Sequence, residues 1–389
     1  MEAIVVGDLH IDNRKYSIKN NETFDEIFRL FNQITDVVIE RKPDFVIFLG
    51  DIFDSPENIS TNVISIVSML FKDLSSLTKV VIIAGNHDSV DDGYQSIDLT
   101  EGKNGYLRSS LVYPLGMNAD IFVVDKPTTS EIEDNNGKKF CLSFVPYQCD
   151  IVSSLQYLSP NFRDGITNIM FGHFETRDLN YVKIQKDKAL IERLPSAEEL
   201  LTTYRQDLVF LGHVHDQSTI TIKGKKLIYT GSARNINYNN KIAIKGIYSL
   251  HFDNLDVEMI ANPNTAVYRV FNDAEELTKF VENTSPEELA RTKVKFIYTD
   301  SKDTVKYHGL KRQLRRLEFE KSLYTEGDSA ETTRKMLNFS DLKMENTLDR
   351  DSLFNFILDF KEIKDEAERE EYLKLIKLFE ETVENSEEE

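Results

Sequence analysis

Five times within the first 215 residues, a short run of strand-forming residues stops at a glycine and hands over to a residue able to ligate a metal ion. Ala3-Ile4-Val5-Val6 leads into Gly7-Asp8-Leu9-His10, and Asp44-Phe45-Val46-Ile47-Phe48-Leu49 into Gly50-Asp51. Val80-Val81-Ile82-Ile83-Ala84 leads into Gly85-Asn86-His87-Asp88, Ile169-Met170-Phe171 into Gly172-His173, and Leu208-Val209-Phe210-Leu211 into Gly212-His213-Val214-His215. Apolar runs of this length predict buried strands. Between the first two, Phe24, Ile27, Phe28, Phe31, Ile34 and Val38 recur at helical spacing, and Ile59 to Phe71 repeats the pattern before the third. Strand alternating with helix predicts parallel strands joined by crossover helices, with their carboxyl ends along one rim where ligands collect.

The residues delivered to that rim are Asp8, His10, Asp51, Asn86, His173, His213 and His215. Mixed imidazole and carboxylate donors suit first-row ions such as manganese, iron or zinc, whereas an all-oxygen set would suit magnesium or calcium. Seven side chains are too many for one ion with an open position and about right for two ions sharing a carboxylate. Two ions roughly 3.5–4 Å apart can clamp the attacking and leaving oxygens of a phosphoryl displacement. Asp51, a lone carboxylate in the middle of the series, is the candidate to be shared. Five of the seven histidines fall inside these glycine-flanked motifs; His251 and His308 do not.

Asp-x-His, Gly-Asp, Gly-Asn-His-Asp, Gly-His and Gly-His-x-His, in that order, resemble the calcineurin-like metallophosphoesterase superfamily. Within it, Gly50-Asp51-Ile52-Phe53-Asp54 followed by Pro56 is similar to the SbcD-type DNA nucleases, the nuclease subunits of a recombination and double-strand-break repair complex. The motif resemblance covers residues 4–215, and beyond it the chain is similar only in arrangement, including the short tail of bacteriophage members. It implies a two-sheet β-sandwich flanked by helices, of class α/β, with a small α/β cap and C-terminal helices. It also implies two divalent ions, most commonly Mn2+, with Asp8, His10, Asp51 and His215 on one and Asp51, Asn86, His173 and His213 on the other. His87 corresponds to a histidine that is not a ligand but protonates the leaving oxygen, with Asp88 orienting its ring. The implied partners are DNA, an SbcC-type coiled-coil ATPase and a second copy of the chain. The implied activity is 3′-to-5′ exonuclease action on duplex ends and structure-specific endonuclease action.

The rest of the chain divides by character. Residues 1–262 carry all the motifs, including a polar, glycine-containing stretch from Ser89 to Gly116 that reads as a long loop region beside the site. Ile121–Asp125 and Lys139–Pro146 read as strands separated by the turn-prone Asn135-Asn136-Gly137, and Lys226–Thr230 and Gly246–Phe252 as further strands. Tyr229-Thr230-Gly231-Ser232 ends a strand in a turn that, in similar proteins, lies beside the active site. Near Asn262-Pro263-Asn264 a small α/β pattern begins, running over 263–325 as a cap. Within it Lys311, Arg312, Arg315 and Arg316 form a basic cluster that could contact a DNA backbone or simply be a solvated helix face. A polar linker at 326–349 precedes a helical segment, 350–384, with apolar stripes at Leu353/Phe356/Ile357/Phe360 and Tyr372/Leu375/Ile376/Phe379/Val383. That segment is the expected ATPase-binding element, and 385–389 an acidic tail.

Charge and targeting narrow the function classes. The net charge of −19 argues against a nucleic-acid surface at first. However, Lys361 to Glu389 holds twelve acids against five bases, a net −7, which leaves −12 for the first 360 residues. Met1-Glu2 runs directly into the first strand, so no signal peptide is expected, and no apolar run reaches the roughly 20 residues of a membrane span. Cys141 and Cys149 lack zinc spacing and do not form a disulfide framework, which fits a cytoplasmic protein. The competing function is a non-nuclease metallophosphoesterase acting on phosphoproteins or small phosphodiesters. Protein phosphatases of this superfamily carry an arginine soon after the second Gly-Asp, where Ile52-Phe53-Asp54-Ser55-Pro56 stands here. A small-molecule esterase would not need so long a C-terminal extension, and a non-catalytic scaffold would not keep every ligand position.

Overall fold

The computed structural model describes residues 1–12, 22–56, 59–89, 112–117, 120–148, 150–180, 182, 188–236, 244–298 and 316–321. The unit Met1–Leu323 contains all of them; Tyr324–Glu389 forms a second unit outside the described residues. The expected linker, ATPase-binding helices and acidic tail therefore lie outside them, as do Cys149, Lys311, Arg312 and Arg315.

The core is built on β1 (Glu2–Val6), β2 (Phe45–Phe48), β3 (Lys79–Ile83) and β4 (Ile121–Val124), which pair in parallel. β11 (Gly246–His251) pairs antiparallel with β1, and β12 (Asp256–Ala261) antiparallel with β11, giving the order β12-β11-β1-β2-β3-β4. A second six-stranded sheet runs β5-β6-β7-β8-β10-β9. Its parallel centre is β6 (Lys139–Val145), β7 (Thr167–Gly172), β8 (Leu208–Leu211) and β10 (Lys225–Tyr229). Its antiparallel edges are β5 (Thr128–Glu133) and β9 (Ser218–Ile222).

Strand alternation explains the layering. Ala3, Val5, Ile47, Leu49, Val81 and Ile83 bury their side chains against Phe140, Leu142, Phe144, Ile169, Phe171 and Phe210 of the other sheet. The intervening residues Ile4, Val6, Val46, Phe48, Val80 and Ile82 face the opposite way. There they pack on Ile27, Phe31, Ile34 and Val38 of α1 (Glu22–Arg41) and on Val63, Val67 and Phe71 of α2 (Thr61–Ser75). The outer face of the second sheet is covered by Ile151, Leu155 and Leu158 of α3 (Ile151–Leu158). The result is an α/β sandwich of two sheets with helices outside, as the sequence predicts.

Three differences from the sequence reading have physical causes. The Asn135-Asn136-Gly137 turn joins β5 to β6, not β4 to β6, and β4 belongs to the other sheet. β5, Thr-Thr-Ser-Glu-Ile-Glu, is a solvent-facing edge strand with one aliphatic residue, so its period-2 signal is faint. The edge strands β9 and β12 are likewise half exposed. The last difference concerns the third sheet, order β13-β14-β15, made of β13 (Val267–Phe271), β14 (Thr292–Tyr298) and β15 (Arg316–Lys321), with helices Ala274–Asn283 and Pro286–Arg291 between the first two strands. Arg316 thus opens a strand and is not on a helix face. The helix caps are local: Asp273 accepts from the Glu275 and Glu276 amides, and Ser285 from that of Glu288. No helix among the described residues is long and apolar enough to cross a membrane.

Candidate metal centre

The ends of β1, β2, β3, β7 and β8 converge on one rim, and all seven predicted ligands meet there. Asp8, His10, Asp51 and His215 each offer a ligand atom within 4.8 Å of the others, and so do Asp51, His173 and His213. Asn86 completes the second group: its Oδ1 lies 3.1 Å from His173 Nε2 and 2.9 Å from His213 Nδ1. Asp51 belongs to both. One of its oxygens, Oδ2, is 3.4 Å from His10 Nε2, and the other, Oδ1, is 3.3 Å from His173 Nε2.

These distances fit divalent ions. Metal–ligand bonds of about 2.1 Å at octahedral or tetrahedral angles place neighbouring ligand atoms about 3.0–3.4 Å apart. In the first group, His10 Nε2 and His215 Nε2 are 3.0 Å apart, and Asp8 Oδ2 lies 3.6 Å from His215 Nε2 and 3.9 Å from His10 Nε2. Ring nitrogens and carboxylate oxygens gathered this closely are a donor set suited to a cation.

The glycines of the motifs make this convergence possible. A Cβ on Gly85 would lie 2.1 Å from Asp51 Oδ1, and one on Gly212 would lie 2.7 Å from Asp8 Oδ1. Gly50 combines a φ of 109° with a Cβ position 2.5 Å from His173 Nδ1, so two constraints hold it. Beyond the glycines, His10, Asp51 and His213 themselves adopt left-handed backbone, with φ of 45°, 49° and 73°. Such conformations store strain and need surrounding contacts to hold them. The contacts are present: the His213 amide donates to Asp8 and the His87 amide to Asp51 Oδ1, while the Leu9 and His10 amides donate to the Asp51 carbonyl.

The imidazoles are fixed from behind. His173 Nδ1 lies 2.7 Å from the Leu49 carbonyl and must donate to it, which leaves Nε2 facing the site. His87 Nδ1 lies 2.6 Å from the Asp54 carbonyl and donates to it in the same way. The partner expected to orient His87 was Asp88. Asp88 turns oxygens to backbone donors, accepting from the Phe53 amide at 3.1 Å and the Gly85 amide at 2.9 Å, and so braces the loop that holds both Asp51 and His87. The Asp54 carboxylate also lies 3.3 Å from His10 Nδ1.

Crowding sets the charge state. Burial raises the Asp8 carboxyl to about 6, with Asp51 adding to the rise and His173 and His10 opposing it. Burial likewise disfavours charge on Asp51, but His173, His10 and His87 outweigh it and hold this carboxyl far below the usual range. Burial opposes a proton on His173, yet Asp51, Asp8 and the Leu49 carbonyl carry it up to about 9. Burial and the adjacent His10 push His215 down to about 4. Burial, reinforced by the charge of Asp51, raises Asp88 to about 7.

Several residues of the site carry no motif signal. Arg234, buried, donates from Nε to the Leu9 carbonyl at 2.8 Å and from Nη2 to the His10 carbonyl at 2.6 Å. Buried Lys245 donates to the His215 carbonyl at 2.7 Å. Glu175 stands 4.0 Å from His213 Nε2, and the Tyr147 ring lies against His213 with centroids 5.5 Å apart. The Gly231-Ser232 turn packs on the site, with the Ser232 amide on the His215 carbonyl and the Ala233 amide on the Asp8 carbonyl.

A two-sheet sandwich with paired histidine–carboxylate clusters at its strand ends defines a metallophosphoesterase. The chain belongs to the calcineurin-like phosphoesterase family, which residues 1–217 match. Among curated proteins it is similar to the DNA double-strand break repair protein Mre11 of Methanococcus maripaludis, 32% identical over 88 residues, 23% of this chain and 23% of that protein. It is also similar to the Mre11 protein of Aeropyrum pernix, 29% identical over 125 residues, 32% of this chain and 30% of that protein. The matches thus span less than a third of these relatives' length. Among solved structures, a putative 5′-nucleotidase from Staphylococcus aureus aligns over 67% of this chain and 52% of its own, at 15% identity and a TM-score of 0.41.

Proposed function

We propose that this chain is a two-metal DNA nuclease, the nuclease subunit of an SbcCD-like recombination and repair complex. The observation that carries the two-metal reading is Asp51, whose two oxygens each face a different cluster. In this reading Asp8, His10, Asp51 and His215 hold one ion and Asp51, Asn86, His173 and His213 the other, with Mn2+ as the working metal. DNA as substrate is supported by the similarity to the Mre11 proteins and by the Gly50–Pro56 signature.

When bound, the ions supply an activated water and neutralise the charge of a phosphodiester. His87 supplies the proton. With Nδ1 committed to the Asp54 carbonyl, Nε2 is the atom from which an imidazolium can protonate the departing 3′ oxygen. The reading assigns 1–262 to the nuclease domain, 263–325 to a DNA-binding cap bearing Lys311, Arg312, Arg315 and Arg316, 326–349 to a linker and 385–389 to a tail. The two stripes of 350–384 bind the coiled coil of an SbcC-type ATPase, and the complex contains two copies of the chain.

The test is Mn2+-dependent cleavage of linear duplex and hairpin DNA, run beside a small phosphodiester such as bis(p-nitrophenyl) phosphate. Cleavage of both DNA substrates is expected. Turnover of the small ester with no DNA cleavage would replace the nuclease reading by that of a phosphoesterase of small or protein-borne substrates.

A further inference from the structure

The two ligand clusters are supported differently from behind, and nothing in the motifs announces it. The Asp8, His10, Asp51 and His215 group is backed by two buried cations. Arg234 spans the consecutive carbonyls of Leu9 and His10, and Lys245 caps the carbonyl of His215. Behind the other group stand the Leu49 carbonyl, which holds His173, and the Glu175 carboxylate, 4.0 Å from His213 Nε2.

Arg234 is itself held in place. Its Nη1 lies 3.4 Å from Glu26 Oε2, and Glu26 also accepts the Ala266 amide at 2.8 Å and faces Lys293 Nζ at 3.9 Å. All three charged side chains are buried. A planar guanidinium with two donors on adjacent carbonyls fixes the orientation of the peptide between them, which a single-point donor cannot do. That peptide joins Leu9 to His10, whose φ of 45° is the conformation that needs holding.

We propose that Arg234 and Lys245 are positioning residues for one metal position only, the one formed by Asp8, His10, Asp51 and His215. The proposal rests on the two-metal reading above. Partners one step behind a ligand typically change metal affinity about 10–100-fold when removed. A loss of that size at one of the two positions is the expected effect. Charge works in the opposite direction, because a buried cation repels a metal ion and its removal would tighten binding. Arg234→Lys keeps the charge and loses the fork, so it separates the two.

The experiment titrates Mn2+ into the full-length protein and follows free Mn2+ by electron paramagnetic resonance, with thermal melting of each variant alongside. Unaltered protein should take up two equivalents. Arg234→Met, Arg234→Lys and Lys245→Met should each weaken one equivalent at least about tenfold and leave the other unchanged. The spectrum of coupled ions should give way to that of an isolated one. A lowered melting temperature with both equivalents intact would make these residues merely structural and overturn the proposal. So would tighter binding in Arg234→Met with no change in Arg234→Lys. Should the Arg234 variants melt below the assay temperature, Lys245→Met, which alters a different carbonyl of the same group, carries the test. Fewer than two equivalents in the unaltered protein would refute the two-metal reading itself, an outcome distinct from two equivalents that persist in every variant.

Discussion

Metal uptake by this site must expel a proton, and the structure says from where. His173 is fully buried with a pKa of about 9, and its Nδ1 is committed to the Leu49 carbonyl. The extra proton therefore sits on Nε2, between Asp51 Oδ1 at 3.3 Å and Asn86 Oδ1 at 3.1 Å, where an ion would sit. The sign follows: the raised pKa favours the metal-free form below pH 9, so affinity rises with pH. Displacing that proton therefore costs more at pH 7 than at pH 9, by about 1.36 kcal/mol for each pH unit. The Mn2+ dissociation constant of that position should therefore fall about tenfold per unit from pH 7 to 9 and level off above. Competition titrations at pH 7, 8 and 9 measure the slope, and calorimetry at pH 7 in buffers of different ionisation enthalpy counts the proton. In Asp51→Asn, the charge that holds the proton is gone, so the slope should vanish even as affinity drops. Affinity flat between pH 7 and 9 with no proton released would refute the reasoning.

Other perturbations separate the roles of the site residues. Asp51→Ala should weaken both metal equivalents in calorimetry, whereas His173→Ala should weaken mainly one; two tight sites in Asp51→Ala would end its bridging role. His87→Ala should keep both ions yet lose cleavage by roughly 10²–10⁴-fold in a gel assay, the usual contribution of a general acid. Gly85→Ala puts a Cβ 2.1 Å from Asp51 Oδ1 and 2.4 Å from the Asp51 amide nitrogen, so it should cost about 1–3 kcal/mol in denaturant unfolding and weaken both ions. Deleting 350–389 should abolish copurification with the ATPase partner while two metal equivalents remain.

The sandwich and its rim were legible because each motif couples a local signal, an apolar run ended by glycine, to a ligand-type residue. The glycines could be read before the contacts that require them were known. Arg234, Lys245 and Glu26 were not legible, since each is a lone charged residue whose partner is more than 25 residues away. Arg234 offered one clue, standing two residues beyond the Tyr229-Thr230-Gly231-Ser232 turn. The backbone contacts of Asp88 were not legible, because adjacency to His87 in sequence does not determine which way a side chain turns in a 3-10 turn. β15 did carry a pattern, Leu317 and Phe319 between charged residues, but the basic run before it drew the reading toward a helix.

The left-handed backbone at His10, Asp51 and His213 also bears on how such a chain would age. A descendant released from metal chemistry but still selected for its shape would gain stability by placing glycine or asparagine at these three positions, each change relieving about 1 kcal/mol. The scaffold would then drift first where it is now most reactive. A loss of histidine or aspartate to glycine at 10, 51 and 213, with the surrounding sandwich intact, would be the imprint of a retired enzyme.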